Sequence, residues 1–319
     1  MQPATHQNQG FSSKDLVELA NLERAGLVES RHFGIAVLTG PDGSVLAQYG
    51  NSSSLIYPRS AVKPLQAIAL ARAGVNLSGA QLAIACGSHQ GTPEHTALVS
   101  QILASAGLDA SYLQCPIAWP GDIKARVAAK AQTKECFNCS GKHAGFLASC
   151  AAAGWDTSTY LDPNHPLQVL VKEILEDYSG EQVQVSTIDG CGAPLHALTL
   201  AGLSRAIGKL SSTHSQIVEA MLEHPWAVGG FDSPDYVVIQ HGMVAKLGAE
   251  GVFVIGLKSG HGVAIKVGDG SLRPAASVAL KVLLNAGLVS SEVFDQCFSQ
   301  PAPKVVGGNQ VVGSFRVCI

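Results

Sequence analysis

Strand-like alternation occurs at the two ends of this 319-residue chain and not in its middle, and that separation limits the fold more than any other feature. Near the start, HFGIAVL, a TGPDG turn and SVLAQYG read as a β-hairpin over Arg31–Gly50, with Pro-Asp-Gly supplying the turn. Near the end, GVFVIGLK, an SGHG turn and VAIKV read as a second strand pair over 251–267, and QVVGSFRV at 310–317 as a last strand. Between them the period becomes helical. Helices are expected over Ala61–Ala73, from Thr92-Pro93-Glu94 to about Leu108, and near 142–153, 165–178, 194–209, 213–223 and 233–240, with another at 275–287. Strands joined by tight turns are antiparallel, and segregated strands and helices indicate an α+β fold. The expectation is one antiparallel sheet from the N- and C-terminal strands (about 25–60 and 245–319) and a central helical region (about 61–244). These form one domain, 25–319, preceded by an N-terminal tail and lead-in helix over 1–24.

Composition narrows the function. Aromatic residues are 6% of the chain and hydrophobic residues 46%, so Leu, Val, Ile and Ala must build the core. Charged residues are 14%, against about 25% in ordinary domains, which suggests a surface partly covered by a partner. A net charge of -3 gives no footprint for nucleic acid or an anionic membrane. No run of about 18 apolar residues exists to span a bilayer. The opening MQPATHQNQGFSSKD lacks the apolar centre of a secretory leader, so the expected compartment is the cytoplasm. There the eight cysteines are expected as buried thiols, metal ligands or reactive groups rather than disulfides.

Several short motifs carry chemistry. Ser60-Ala-Val-Lys63 opens a helix, and a lysine made neutral by burial can take a proton from a nearby serine. Alone the motif is weak, because a serine cap and a solvated lysine give the same letters. Cys86-Gly-Ser88-His89-Gln-Gly91 ends the apolar run LAIAC abruptly, which puts Ser88 and His89 where a buried element meets a loop. His89 is either a base or a hydrogen-bonded structural residue. Cys136-Phe-Asn-Cys139-Ser-Gly-Lys142-His143 holds a C-x-x-C pair without a second one, so a zinc ribbon is not indicated. A distant third ligand is best sought at Cys191 in Asp189-Gly190-Cys191-Gly192; the competing reading is a buried thiol pair. Lys266 sits among Val and Ile in VAIKV, a costly place for an amine unless it is paired or functional. Lys258-Ser259-Gly260 imitates the K-[ST]-G element of serine β-lactamases, but no S-D-N follows Ser60. The Gly-rich turns near 259–262 and 268–270 lack phosphate-loop spacing.

Five of these segments, in this order, resemble the Rhizobium etli-type L-asparaginases. They read Pro58-Arg59-Ser60-Ala-Val-Lys63-Pro64, Cys86-Gly-Ser88-His89, Asn138-Cys139-Ser-Gly-Lys142-His143, Asp189-Gly-Cys191 and Gly262-Val-Ala-Ile-Lys266. Val28-Glu-Ser-Arg-His32 and His224-Pro225 also fit, and the likeness runs over about 25–315. The resemblance implies a fold like that of serine β-lactamases and glutaminases. It implies hydrolysis of L-asparagine to L-aspartate and ammonia, and a homodimer. It implies two serine–lysine pairs, Ser60 with Lys63 and Ser88 with Lys266, and a Zn2+ site of Cys139, Lys142 and Cys191. Arg59, His89, Asp189 and Gly190 are then substrate-binding candidates, and His143 stands beside the metal. Ser60 is the expected nucleophile, since its lysine is pre-positioned by local structure and the helix N-terminus favours developing negative charge. Cys136 is a departure the family does not explain. A glutaminase, a β-lactamase-like acyl hydrolase and a non-catalytic zinc-binding protein are the competing functions.

Overall fold

In the computed structural model, which describes residues 10–298 and 304–319, the chain enters through β1 (Val17–Arg24). It turns into β2 (Leu27–Thr39) and returns as β3 (Val45–Tyr49). The first half of β2 pairs with β1 and the second half with β3. Two short ladders follow, β4 (Leu55–Ile56) with β7 (Leu198–Thr199) and β5 (Ser186–Ile188) with β6 (Pro194–His196). The late strands are β8 (Val244–Gly248), β9 (Val252–Gly256) and β10 (Gly262–Val267). A small β11 (Val306–Gly307) and β12 (Gln310–Val311) ladder leads to β13 (Gly313–Val317). Seven strands make one antiparallel sheet in the order β13-β1-β2-β10-β9-β8, with β3 also on β2. The β2–β10 pairing, Gly34 opposite Val267 through Thr39 opposite Gly262, is the seam that joins the two ends of the chain.

Between the sheet halves lie α1 (Lys63–Arg72), α2 (Gly79–Ala85), α3 (Pro93–Ser105), α4 (Ile123–Ala128), α5 (Ser140–Ala153) and α6 (Pro166–Ser179). They are followed by α7 (Leu200–Thr213), α8 (Ser215–Glu223), α9 (Pro225–Gly229) and α10 (Pro234–Ile239). After the late strands come α11 (Ala275–Asn285) and α12 (Ser291–Phe298). Caps explain several starts: Thr92, Thr199 and Ser233 each accept a backbone N–H of the first turn. Every residue of β9 and β10 is buried, so both faces of the sheet centre are covered, and α7 and α11 pack there. Helices α1, α2, α3, α5 and α6 pack on one another as the second layer of the α+β fold. No described helix is long and apolar enough to cross a membrane.

Three expectations need correction. The lead-in helix over 1–24 is instead β1, preceded by a 3-10 turn at Ser13–Asp15; residues 1–9 of that segment lie outside the described residues. The pairing of β1 with β2 shifts register between Glu18 and Ala20 and again between Leu22 and Glu23, so its apolar residues lose the two-residue period that betrays a strand. The helix expected at 194–209 begins at Leu200; the preceding PLHALT is strand and connection, held by Glu181, whose carboxylate accepts the Thr199 N–H at 3.0 Å. The late sheet region, expected from about 245, also holds a strand beyond those expected there, β8.

Candidate active site

The backbone is forced into place just before α1. Arg59 has φ +53°, a left-handed conformation that costs a non-glycine residue about 1–2 kcal/mol. The bend starts a 3-10 turn over Arg59–Val62 and delivers Lys63 as the first residue of α1. Lys63 is 1% exposed. Its Nζ donates to the Gly87 carbonyl at 2.5 Å and to Ser88 Oγ at 3.0 Å. Burial lowers its pKa, opposed by the Cys139 thiol and assisted by the charges of Lys246 and Lys142.

Ser88 is held by its own backbone. Gly87 must be glycine here, because a Cβ would stand 2.6 Å from the Ala227 carbonyl oxygen and 2.9 Å from that of Val228. The close approach lets the Ser88 N–H donate to the Val228 carbonyl at 2.6 Å, while the His89 N–H donates to that of Asn138 at 3.1 Å. His89 is locked on both ring nitrogens. Its Nδ1 accepts from the Gly91 N–H at 3.1 Å and its Nε2 lies 2.9 Å from Ser140 Oγ. Burial keeps the ring neutral. No ring nitrogen remains for a substrate, so His89 ties the Ser88 loop to the start of α5.

A buried sulfur and amine cluster lies at that start. Cys139, the residue before α5, packs with Cys191. Lys142 Nζ donates to Cys191 Sγ at 3.0 Å. Cys139 is held well below the ordinary thiol range by the hydrogen bond from Cys191, with Lys63 and Lys142 helping and burial opposing; that hydrogen bond and burial raise Cys191. Burial works against the Lys142 ammonium, but Cys191 and Cys139 outweigh it and its pKa rises. Tyr160 OH lies 2.7 Å from His143 Nδ1, and the ring is buried beside Cys191; burial lowers its pKa to about 4 against the opposing pull of Cys191. Among the described residues no three Cys, His, Asp or Glu side chains close on one point. Cys139, Cys191 and the amine of Lys142 are two soft sulfurs and a nitrogen, a donor set that fits zinc.

Asp189 links this cluster to a pocket of about 560 Å3. Its Oδ1 accepts from Arg59 Nε at 2.7 Å, and its Oδ2 lies 3.9 Å from Cys191 Sγ. Burial pushes its pKa up, but Arg59 and the Gly190 N–H prevail and hold it below the usual carboxylate range. Arg59, Asp189, Gly190 and Lys266 all line the pocket, with Tyr57 and Glu250.

The structure rearranges the serine–lysine pairs implied by resemblance. Lys63 reaches Ser88, not Ser60, whose hydroxyl has no hydrogen-bond partner among the described residues. Lys266 does not reach Ser88; its Nζ donates to the carbonyls of Glu250 and Val267, the latter at 3.0 Å. Long-range packing of α1 against the end of α2, which no local spacing encodes, makes the difference. Lys258-Ser259-Gly260 lies in the turn between β9 and β10, with Lys258 and Ser259 exposed and Gly260 buried. Sequence reasoning missed the buried ion pair of Lys246 and Asp235 at 2.7 Å between β8 and α10; an isolated lysine in the strand VAKLG was its one visible signal.

Among the solved structures that the chain aligns with are the following two. One is a β-lactamase from Mycobacterium bovis, 15% identical, covering 79% of this chain and 94% of that one, with a TM-score of 0.39. The other is Mglu in its glutamate form, 13% identical, covering 85% of this chain and 66% of that one, with a TM-score of 0.46. No curated protein sequence matches. The L-asparaginase II family profile matches residues 20–317, which include every site residue described above. The chain therefore belongs to the L-asparaginase II family and is an amidohydrolase.

Proposed function

We propose that this enzyme hydrolyses L-asparagine to L-aspartate and ammonia, with Ser88 as nucleophile and Lys63 as its base. The observation that carries the reading is a buried amine 3.0 Å from a serine hydroxyl; Cys139, Cys191 and Asp189 link that amine to the pocket, which holds both signs of fixed charge and whose lining does not itself include Ser88 or Lys63. Lys63 in its neutral form accepts the Ser88 proton as Oγ attacks the side-chain amide carbon. The resulting Lys63 ammonium returns the proton to the leaving nitrogen, ammonia departs, and an ester on Ser88 remains. Water attacks that ester, Lys63 takes and returns a proton again, and aspartate leaves with Ser88 restored.

The pocket suits a zwitterionic α-amino acid. Among the described residues Arg59 makes its side-chain hydrogen bond through Nε, which leaves the terminal guanidinium nitrogens for a carboxylate. Lys266 uses two of its three N–H donors on carbonyls and keeps one. Asp189 supplies the anion for the substrate ammonium. Cys139, Lys142 and Cys191 would hold zinc, which when bound would supply a Lewis-acid centre that orients the substrate. Lys142 must then give up its proton, so zinc affinity falls as pH falls. The proposed assembly is a homodimer, in keeping with the light surface charge and with the exposed side chains of Ile117, Ile123 and Val127; light scattering reads its mass.

The test is ammonia release from asparagine and glutamine side by side. Preference for asparagine supports the reading, and equal or faster turnover of glutamine moves the enzyme to the glutaminases. Rapid quenching with a slow amide analogue, followed by peptide mapping, identifies the nucleophile. An adduct on Ser88 that persists in Ser60→Ala is expected; an adduct on Ser60 reverses the assignment.

A further inference from the structure

Two residues of the pocket wall, Gly10 and Phe11, precede the segment 20–317 that defines the family. They are firmly placed. Gly10 forms a parallel bridge with Leu55. A few residues on, Asn51 Nδ2 donates to Asp15 Oδ1 at 2.8 Å, and the Asn51 N–H donates to the Asp15 carbonyl at 2.9 Å. The strap from Gly10 to Asp15 is thus tied at one end to Leu55 of β4 and at the other to Asn51 in the loop between β3 and β4. Phe11 is half-buried, packs on the core and sets its ring 5.3 Å from Lys266 Nζ.

That position has a chemical consequence. Lys266 is a charge donor of the pocket, and Phe11 is the aromatic surface over it. An aromatic face attracts an ammonium without consuming a hydrogen-bond donor. It also removes water that would compete for the free N–H, so the amine acts more strongly on a bound carboxylate. The ring takes up pocket volume that a substrate one methylene longer would otherwise use.

We propose that Phe11 is a specificity-determining residue: by capping Lys266 it tightens the pocket around a short amino acid amide and disfavours the longer one. The inference rests on the proposed reading of this pocket as the substrate site. It assigns to the chain's own N-terminal strap a function that the family segment does not contain.

The experiment compares wild type, Phe11→Ala, Phe11→Leu and Phe11→Tyr as full chains, measuring kcat and KM for asparagine and glutamine together with thermal unfolding. Phe11→Ala should raise KM for asparagine by roughly 3–30-fold with kcat changed less than about threefold. The asparagine-to-glutamine ratio of kcat/KM should fall by about tenfold, the scale of one methylene. Phe11→Tyr, which keeps the ring, should restore both. If Phe11→Ala fails to fold, Phe11→Leu replaces it, because it keeps apolar volume and lacks the ring. A raised KM in that variant with native unfolding supports the proposal. An active wild type whose variants keep KM and the substrate ratio within twofold overturns this inference alone. A wild type that releases no ammonia from either amide overturns the reading of the pocket and this inference with it.

Discussion

Lys63→Met removes the amine at the centre of the proposed chemistry while keeping a long apolar side chain. Two effects of different size should follow. A positioned general base contributes about 10²–10⁴ in rate, or roughly 3–5.5 kcal/mol of barrier. Folding should change far less. The Gly87 carbonyl loses its 2.5 Å partner, which costs about 1–3 kcal/mol, but the chain no longer buries an amine that is 1% exposed. The two terms oppose each other, and the net change in unfolding free energy should stay below about 2 kcal/mol. The pH profile separates base from scaffold. Lys63 must be neutral to take a proton, and burial puts its folded pKa below the ordinary 10.5. Wild-type kcat/KM should therefore rise with pH until Lys63 has titrated, and the variant should lack that limb. Stability follows the same group. Between the folded value and 10.5 the unfolded chain binds more protons, so the Lys63 contribution is present above 10.5 and lost as pH falls through the folded value. The measurements are steady-state ammonia release across pH and urea unfolding of both proteins. A Lys63→Met protein with native unfolding and kcat within tenfold of wild type would refute Lys63 as the base.

Asp189→Asn should raise KM for asparagine by about 10–100-fold with a smaller loss in kcat, since it weakens the Arg59 partner and the ammonium site together; an unchanged KM would remove Asp189 from the pocket's chemistry. Cys191→Ser should lower zinc content measured by elemental analysis, because a hydroxyl is a poorer soft ligand than a thiolate; full zinc in that protein would exclude the three-residue site. Asp235→Ala strands Lys246, whose side chain is fully buried, and should cost about 3–5 kcal/mol in urea unfolding. A double variant, Asp235→Ala with Lys246→Met, should recover much of that loss, and additive losses would show that the pair is not coupled.

The antiparallel seam was legible because its paired segments are apolar and set off by Pro-Asp-Gly and Ser-Gly-His-Gly turns. Strand β1 was not, because two register shifts scramble its alternation. The site residues divide in the same way. Ser60, Lys63, Ser88, Cys139, Lys142 and Cys191 stand out as reactive types in small-residue surroundings. Their partners do not. Lys63 lies three residues from Ser60, yet its amine crosses to a loop 25 residues on. That choice depends on how closely α1 approaches the end of α2, and thus on Gly87 and the carbonyls of Ala227 and Val228. His89 shows the reverse: its sequence position invites a chemical role, and only the tertiary hydrogen bonds reveal that both nitrogens are spent. Phe11 offered no sequence signal, since an aromatic residue in a polar segment has no period to join.

The seam between β2 and β10 also sets a timetable for synthesis. Thr39 leaves the ribosome long before its partner Gly262, with the whole helical layer translated in between. At ~5–20 residues per second the inner edge of β2 waits on the order of 10–45 s for β10. During that interval Ile35, Ala36, Val37 and Leu38, all buried in the finished protein, present an unpaired apolar edge. The nascent chain should therefore be a client of holding chaperones, and the pocket, which needs Lys266, stays incomplete until Gly270 has been made.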